Sequence, residues 1–385
     1  MKDSDYLCFA LSTRYLSIYD IHLFLRTSKL LSTSLPCMVY EANVPISSEK
    51  YFAEFLKIKV DEATTPCYAF HDIRIISRFY PNISVLTLYD QKSSPCNDVE
   101  VMVDYLSGLP NLSEVILRGL KIDATYDFLN EDDSQNNSFN LMPMREGKYQ
   151  STELIHNNPS MLSKVQRIHL IKVSIPSNKV FKFLINSCPD LKELTIEMAM
   201  HVDINRILFL FRQHHLEKLI IESCCITRTP IELRLLLGAR LNTLKVTNSP
   251  HFKLWSTQPS TSTLIPTSSS APSSSIQAST NLQYCDFSNT AVVEHALELL
   301  ITCSPMLRVL MASFCRYLDH TLIVRSSSLE VLDIRASNLK QLLIITPSLR
   351  TLRLTLSLKL TELSIQSSVL TVSYTHLTLP TIYSV

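Results

Sequence analysis

The chain has 385 residues, of which 46 % are hydrophobic and 18 % are charged. This composition is too apolar for a disordered chain, and the length predicts two or three folded units or one elongated array. The 36 Lys and Arg residues nearly balance the 35 Asp and Glu residues, giving a formal net charge of +1. We therefore expect no nucleic-acid partner, and no apolar run approaches the ~18 residues that a membrane span requires.

Glycine and cysteine usage excludes further kinds of site. The four glycines are widely separated, whereas the phosphate-binding loops of nucleotide enzymes need clustered glycines. The ten cysteines form no C-x-x-C pair, which predicts reduced thiols in a cytoplasmic or nuclear protein and no zinc site. Because no nucleophile elbow or other catalytic motif is present, we expect no catalytic residues, no cofactor and no enzyme activity.

The first 45 residues have a pattern of their own. Tyr15–Ile21 reads YLSIYDI and continues through LRTSKLL at residues 25–31, with Asp20 placed to cap a helix that buries Ile21 and Leu25. This fragment resembles the later two-thirds of an F-box, which has a Y-L-S-x-x-D-[LI] turn and then an amphipathic helix ending near [ST]-x-K. F-boxes usually begin with Leu-Pro, which is absent here. A helical hairpin that caps a repeat array would explain the same residues.

The F-box resemblance implies a substrate-recognition adaptor of a cullin-RING (SCF-type) ubiquitin ligase. By this resemblance, the helical module would bind the ligase linker subunit and, through it, the cullin scaffold. The residues that the resemblance assigns to linker binding are Leu16, Ile18, Asp20, Ile21, Leu25 and Leu30.

Further along the chain, the phrase L-x-x-L-x-L recurs about ten times with conservative swaps. Copies that begin at Leu191, Leu216 and Leu241 are spaced by 25 residues, and Cys224 and Cys315 occupy the Asn-or-Cys position of the pattern. The pattern resembles irregular, cysteine-containing leucine-rich repeats over about residues 80–370. We therefore predict an α/β leucine-rich-repeat solenoid, with a curved parallel β ladder, helices on the convex side and mostly β structure towards the C-terminus.

The middle residue of each L-x-L is predicted to face outwards, because side chains alternate along a strand. We expect these residues to bind a protein target on the concave face, since their mixed polarity favours a protein over a polyanion. The candidate target-binding residues are Thr195, Ile220, Lys245, Asp286, Met311, Asp333 and Arg353, preceded in the same row by Thr87, Ile116 and His169.

Three helices are predicted between the strand phrases. Asp98 would cap a helix that reaches residue 106, Thr229 and Pro230 would open one over residues 231–237, and Thr290 would cap one over residues 292–301. After Arg316 the phrase recurs every ten or eleven residues, which leaves no room for helices. There we predict strands on both faces of the coil, with 20–22 residues per turn.

Two insertions interrupt the repeats. Residues 123–160 are polar and are interpreted as a loop, alone or together with one degenerate repeat. Residues 256–280 are rich in Ser, Thr and Pro without a charged residue, so they cannot form a core and the solenoid should close around them. This second loop is either a simple surface insertion or a site of regulatory phosphorylation.

The predicted organisation is an F-box-like helical module (1–45), a solenoid with the two loop insertions (46–371) and a tail (372–385). The tail is predicted to be non-native, because it resembles a translated sequencing-adapter read-through. The predicted function is target recognition for an SCF-type ligase. The alternative is a leucine-rich-repeat interaction scaffold unrelated to ubiquitination. An enzyme that uses the insertions is a third hypothesis, and it would require clustered polar groups in a pocket.

Overall fold

The L-x-L phrases fold into consecutive strands of one parallel sheet. The computed structural model of the chain describes residues 41–46, 82–90, 97–98, 102–103, 106–120, 122–123, 162–173, 178–211, 215–226, 231–236, 240–255, 280–367, 371–373 and 382–384. The six predicted linker-binding residues, Leu16 to Leu30, lie outside this described part of the chain. Within it, no helix is long and apolar enough to cross a membrane.

The strands are, in chain order, β1 (Glu41–Ile46), β2 (Val85–Asp90), β3 (Asn97–Asp98), β4 (Glu114–Arg118), β5 (Ile122–Asp123), β6 (Arg167–Ile171), β7 (Glu193–Glu197), β8 (Met200–Val202), β9 (Lys218–Glu222), β10 (Cys225–Ile226), β11 (Ile231–Glu232), β12 (Thr243–Thr247), β13 (Leu254–Trp255), β14 (Tyr284–Asp286), β15 (Val309–Met311), β16 (Thr321–Arg325), β17 (Val331–Asp333), β18 (Gln341–Ile345), β19 (Thr351–Arg353), β20 (Glu362–Gln366), β21 (Thr371–Ser373) and β22 (Ile382–Ser384). The helices are α1 (Asn178–Asn186), α2 (Ile204–Phe211), α3 (Leu233–Leu236) and α4 (Glu294–Cys303).

Twelve parallel strands form the large sheet, in the order β1-β2-β4-β6-β7-β9-β12-β14-β15-β17-β19-β21. Their register aligns the second leucine of each phrase, so that Leu194 lies beside Leu219 and Leu219 beside Leu244. From β2 to β19, both apolar residues of each L-x-L are at most 4 % exposed. They belong to one continuous core. The coils have to stack, because a single coil buries too little apolar surface to offset the ~1–2 kcal/mol per residue that backbone ordering costs. The predicted leucine-rich-repeat solenoid is therefore confirmed.

The side opposite the large sheet changes from helices to strands along the chain. Helices pack 8–10 Å apart whereas neighbouring strands are 4.7–4.9 Å apart, so the helical side is the longer, convex one. From β16 onward a second parallel sheet, β16-β18-β20-β22, replaces the helices. It pairs Leu322 with Leu342 and Leu342 with Leu363, which confirms strands on both sides and coils of 20 to 21 residues.

Two of the three predicted helix starts are wrong. Asp98 lies in β3, which pairs with β5, and residues 102–103 and 106–107 beyond it are helical, but the start of that helix lies outside the described residues. Residues Ile231–Glu232 form a strand that pairs with β13, which leaves only the four-residue α3. Thr290 does not cap α4, which begins at Glu294 with no side-chain cap bond. The Thr290 hydroxyl instead donates to the Phe287 carbonyl at 2.5 Å, because the residue is buried beneath the turn after β14.

The large sheet closes around both insertions. Strand β12 pairs directly with β14, as predicted for the Ser-rich segment, and the rings of Phe252 and Phe287 stack at 5.7 Å between centroids on either side of it. Strand β4 pairs directly with β6. No strand from the insertion between β4 and β6 can therefore lie between them in this sheet, so the degenerate repeat proposed there is wrong.

The two ends of the described chain continue the strand ladders. Strand β1 pairs with β2 and so adds residues 41–45, which the sequence assigned to the N-terminal module, to the large sheet. Near the other end, β21 pairs with β19 and β22 pairs with β20, so both strands lie in register with the repeats.

Candidate protein-interaction face

The middle residues of the L-x-L phrases form one continuous row on the large sheet. Each is paired in register with the equivalent residue of the next strand. We call this row, together with the residues that flank it on the same side of the sheet, the outer face. The row consists of Thr87, Ile116, His169, Thr195, Ile220, Lys245, Asp286, Met311, Asp333 and Arg353.

The structure brings all seven predicted target-binding residues into this row, but it does not expose them equally. Thr195, Asp286 and Asp333 are buried, at 3 %, 6 % and 0 % exposure. Ile220, Lys245, Met311 and Arg353 are partly or fully exposed. Of these seven residues a partner can therefore touch four, and the other three lie beneath the surface; Thr87, Ile116 and His169, the remaining members of the row, are half-buried.

Cross-strand ion pairs neutralise most charges on the outer face. Glu114 lies 2.7 Å from Arg167, and Glu193 lies 2.7 Å from Lys218. Glu222 pairs diagonally with Lys245 at 3.1 Å. Partly exposed pairs of this kind contribute only about 0–1 kcal/mol each to stability. Their effect is to leave a face that is polar but locally neutral, which suits a protein surface of mixed polarity better than a polyanion.

Asp333 is the most densely bonded residue of the outer face. Its carboxylate accepts hydrogen bonds from Ser313 Oγ at 2.6 Å and from Arg335 Nε at 2.9 Å, and Arg353 Nη1 lies 3.6 Å away. Burial alone raises the pKa of this carboxyl, but the bonds from Arg335 and Ser313 outweigh it and hold the pKa below its ordinary value. The buried carboxylate thereby fixes two exposed guanidinium groups in place on the face.

A second row, which sequence reasoning missed, lies just beyond the ends of the strands. One residue of each turn has a left-handed backbone, with φ between 52° and 69°. Its N–H donates to a carbonyl of the next coil, as Asn289 N does to Ser313 O at 2.8 Å. We call this row the rim. It comprises Gly119, Lys172, Met198, Ser223, Asn248, Asn289, Phe314, Ala336 and Leu356.

Only Gly and Asn favour this conformation, so Gly119, Asn248 and Asn289 were the sole sequence indications of the rim.

Small polar residues are buried immediately after the rim. Cys224 Sγ donates to Ile196 O at 3.4 Å, and Cys315 Sγ donates to Phe287 O at 3.1 Å. Burial raises the pKa of both thiols, which keeps them protonated as donors. Sequence reasoning identified these two cysteines but missed the equivalent residues Ser249, Thr290, Ser337 and Ser357. The indication was a small hydroxyl three residues after the second apolar residue of each L-x-L.

A cavity of about 440 Å³ lies where the outer face meets the rim. Its lining includes Glu222, Lys245, Asn248, Asp286, Phe314 and Arg316. Within the described ranges, no group of three or more His, Cys, Asp or Glu residues is placed to hold a metal ion. The cavity thus offers charged groups, an amide and an aromatic ring to a ligand, which is the mixture that protein surfaces recognise.

The chain is similar to two solved structures at low TM-score. It overlaps with the Rad7 and Elc1 complex in yeast at a TM-score of 0.34 and 12 % identity, covering 82 % of this chain and 78 % of that chain. It overlaps with an internalin from Listeria monocytogenes at a TM-score of 0.33 and 13 % identity, covering 83 % and 88 %. No protein-family model and no curated protein matches the chain. Its class, a leucine-rich-repeat solenoid, therefore rests on its own strand ladder and repeat spacing.

Proposed function

We propose that this chain is a non-catalytic recognition subunit that holds a target protein on the outer face. The observation that carries the proposal is the in-register row of ten positions, in which the partly or fully exposed Ile220, Lys245, Met311 and Arg353 alternate apolar and cationic side chains. An array of this kind is rigid, since each strand is bonded to both neighbours. Such rigidity limits the ordering cost of binding a folded partner.

Affinity purification with a row variant tests this role. Ile220→Asp combined with Met311→Asp places two carboxylates in the middle of the outer face without altering buried leucines. Phe209→Asp is the matched control, because Phe209 is 60 % exposed on helix α2, on the opposite side of the solenoid. We expect a partner that co-purifies with the unaltered chain and the control, rebinds as a purified protein, and is lost from the row variant. Equal binding by all three chains would contradict the proposal.

We further propose that the target is presented to an SCF-type ubiquitin ligase through residues 1–45. Support comes from the sequence alone, namely the resemblance of the YLSIYDI run and the helix after it to an F-box. Leu16, Ile18, Asp20, Ile21, Leu25 and Leu30 would then contact the ligase linker subunit, which in turn would connect to the cullin scaffold.

A purified linker subunit separates the ligase adaptor from an interaction scaffold unrelated to ubiquitination. We expect the full chain to bind the linker, and Leu16→Asp with Ile21→Asp to abolish that binding while leaving target binding intact. Absence of linker binding by the unaltered chain would leave the scaffold as the function, with the outer face still its target-binding surface.

A further inference from the structure

The rim carries exposed apolar side chains on two coils, separated by one further coil, near the C-terminal end of the described solenoid. Phe314 is 51 % exposed, Leu356 is 48 % exposed, and Ala336 lies between them in the same row. Tyr317 and Leu358, in the same turns, are 59 % and 77 % exposed. Single exposed apolar residues are ordinary, but a group on nearby coils is typical of an interaction site.

The backbone at these positions is unfavourable for the residues that occupy it. Phe314 and Leu356 have φ values of 60° and 66°, a region in which bulky side chains are uncommon. Asn248 and Asn289, which tolerate this region, occupy the same row in the turns after β12 and β14. The repeat geometry requires the left-handed backbone, as in the bond from Phe314 N to Arg335 O at 2.8 Å, but it does not require the bulky apolar side chains found at Phe314 and Leu356.

The charges of these turns are of one sign. Residues 314–318, 336–339 and 356–360 contain no Asp or Glu but include Arg316 and Lys359. Among the described residues neither of these cations forms an ion pair with a carboxylate, whereas Arg335 and Arg353 both pair with Asp333. Lys245, by contrast, is neutralised by Glu222. Of the two carboxylates that line the adjoining cavity, Glu222 pairs with Lys245 and Asp286 accepts a hydrogen bond from Ser288 N, so Arg316 and Lys359 remain available to a partner that presents carboxylates beside apolar side chains.

Two asparagines extend the rim towards the cavity. Asn289 Nδ2 donates to Asn248 Oδ1 at 3.2 Å. Because each side-chain amide carries both donors and an acceptor, the pair still offers a donor from Asn248 and an acceptor from Asn289. A peptide group requires these same two partners. The cavity that both asparagines line also receives Phe314 and Arg316.

We propose that the rim from Asn248 to Leu356 binds an extended polypeptide segment that contains at least one carboxylate beside apolar residues. The five rim residues of β12, β14, β15, β17 and β19 span about 19 Å at 4.7–4.9 Å per strand, which an extended chain covers in about six residues. This inference rests on the proposed function and adds to it a second contact, with a linear segment of the target. Membranes are disfavoured as the occupant because the asparagine pair offers hydrogen bonds that a bilayer interior does not use.

Selection from a displayed library of random linear peptides, about twelve residues long, on the immobilised full chain tests the inference. We expect the selected peptides to share an Asp or Glu close to Leu, Ile, Met or an aromatic residue. Phe314→Asn with Leu356→Asn should weaken a synthetic consensus peptide by more than about tenfold in fluorescence anisotropy. Asparagine suits the left-handed backbone, so these variants remove the apolar side chains without opposing folding. Arg316→Glu should shift the selected peptides from acidic to basic.

Met306→Asn is the matched control, because Met306 is 50 % exposed at the other end of strand β15. It should leave peptide affinity unchanged. Selection without an acidic and apolar consensus would overturn the inference, as would a consensus peptide that binds the rim variants as tightly as the unaltered chain. Sedimentation with phosphatidylserine vesicles that depends on Phe314 and Leu356 would also overturn it, in favour of a membrane. If target binding is lost in the row variant but kept in the rim variants, the rim is not a second contact for the target, and the proposed function of the outer face still stands.

Discussion

Glu294, in the first turn of α4, accepts a hydrogen bond from the backbone N–H of Asp319 at 2.5 Å. The same oxygen accepts another from His320 N at 2.6 Å, and Glu298 accepts one from Ile323 N at 2.7 Å. Strand β16 is the edge of the second sheet, where backbone N–H groups lack a neighbouring strand. The carboxylates of Glu294 and Glu298 accept hydrogen bonds from these backbone N–H groups. They thereby connect the last helical coil to the first all-strand coil.

Removing the Glu294 carboxylate is expected to destabilise this junction. Glu294 is 9 % exposed, so Glu294→Ala leaves two backbone donors without a partner and should lower the free energy of unfolding by about 2–3 kcal/mol. Glu298→Ala removes a single, less buried bond and should lower it by about 1 kcal/mol. Urea unfolding followed by circular dichroism measures both. Equal effects of the two substitutions would contradict this account of the junction.

Asp333 should make the solenoid sensitive to acid. Its pKa lies below the ordinary value of 3.8, because hydrogen bonds from Arg335 and Ser313 outweigh burial. The unfolded chain therefore binds this proton more readily than the folded chain. The resulting stability is complete above the unfolded value and is lost as the pH falls through 3.8 towards the lower folded pKa.

Asp333→Asn tests this linkage. At neutral pH it should cost about 1–3 kcal/mol, because Arg335 and Arg353 lose their counter-charge. Below about pH 5 its unfolding midpoint should fall less steeply with pH than that of the unaltered chain. Arg335→Gln, which removes the main donor to Asp333, should flatten the same curve in part. An Asn variant with unchanged acid sensitivity would rule out Asp333 as the titrating group.

The strand ladder was predictable from sequence because the requirement to bury leucine on one side of a short strand is local and repeats at a fixed spacing. The row from Thr87 to Arg353 and the change to all-strand coils followed from that spacing. Helix starts were not predictable from caps, since the Thr290 side chain bonds to Phe287 O rather than to the helix. The burial of Asp333 was not predictable from the sequence either, because it depends on Ser313 and Arg335, which lie in neighbouring turns.

At the left-handed positions of the rim, asparagine should stabilise the fold and a β-branched residue should destabilise it. Lys172 is exposed with φ of 54°, so Lys172→Asn should stabilise the fold by up to about 1 kcal/mol and Lys172→Val should destabilise it by about 1–2 kcal/mol. Lys192 is exposed in the segment leading into β7 and is not among the left-handed residues. Asn and Val at position 192 should differ by less than about 0.5 kcal/mol in unfolding experiments. A preference for Val over Asn at position 172 would contradict the rim geometry.

Buried thiols should resist alkylation in the folded chain. Burial raises the pKa of Cys188 to about 12 and also raises the pKa of the fully buried Cys285. Since the thiolate is the reactive form, both residues should be labelled by iodoacetamide far more slowly than the half-buried Cys225. Peptide mass spectrometry of native and urea-unfolded samples measures the rates. Labelling of Cys285 in the native chain as fast as that of Cys225 would show that the core opens readily.

The central claim, that the outer face binds a protein, is tested most directly by site-specific photo-crosslinking in the cells that express the chain. A benzophenone amino acid is placed at Ile220 or Met311 in the exposed part of the row, and at Phe209 on the convex side as the comparison. The account predicts that the same discrete protein adduct forms from both row positions and is absent from position 209. Adducts that form only from position 209, with none from the row, would contradict it.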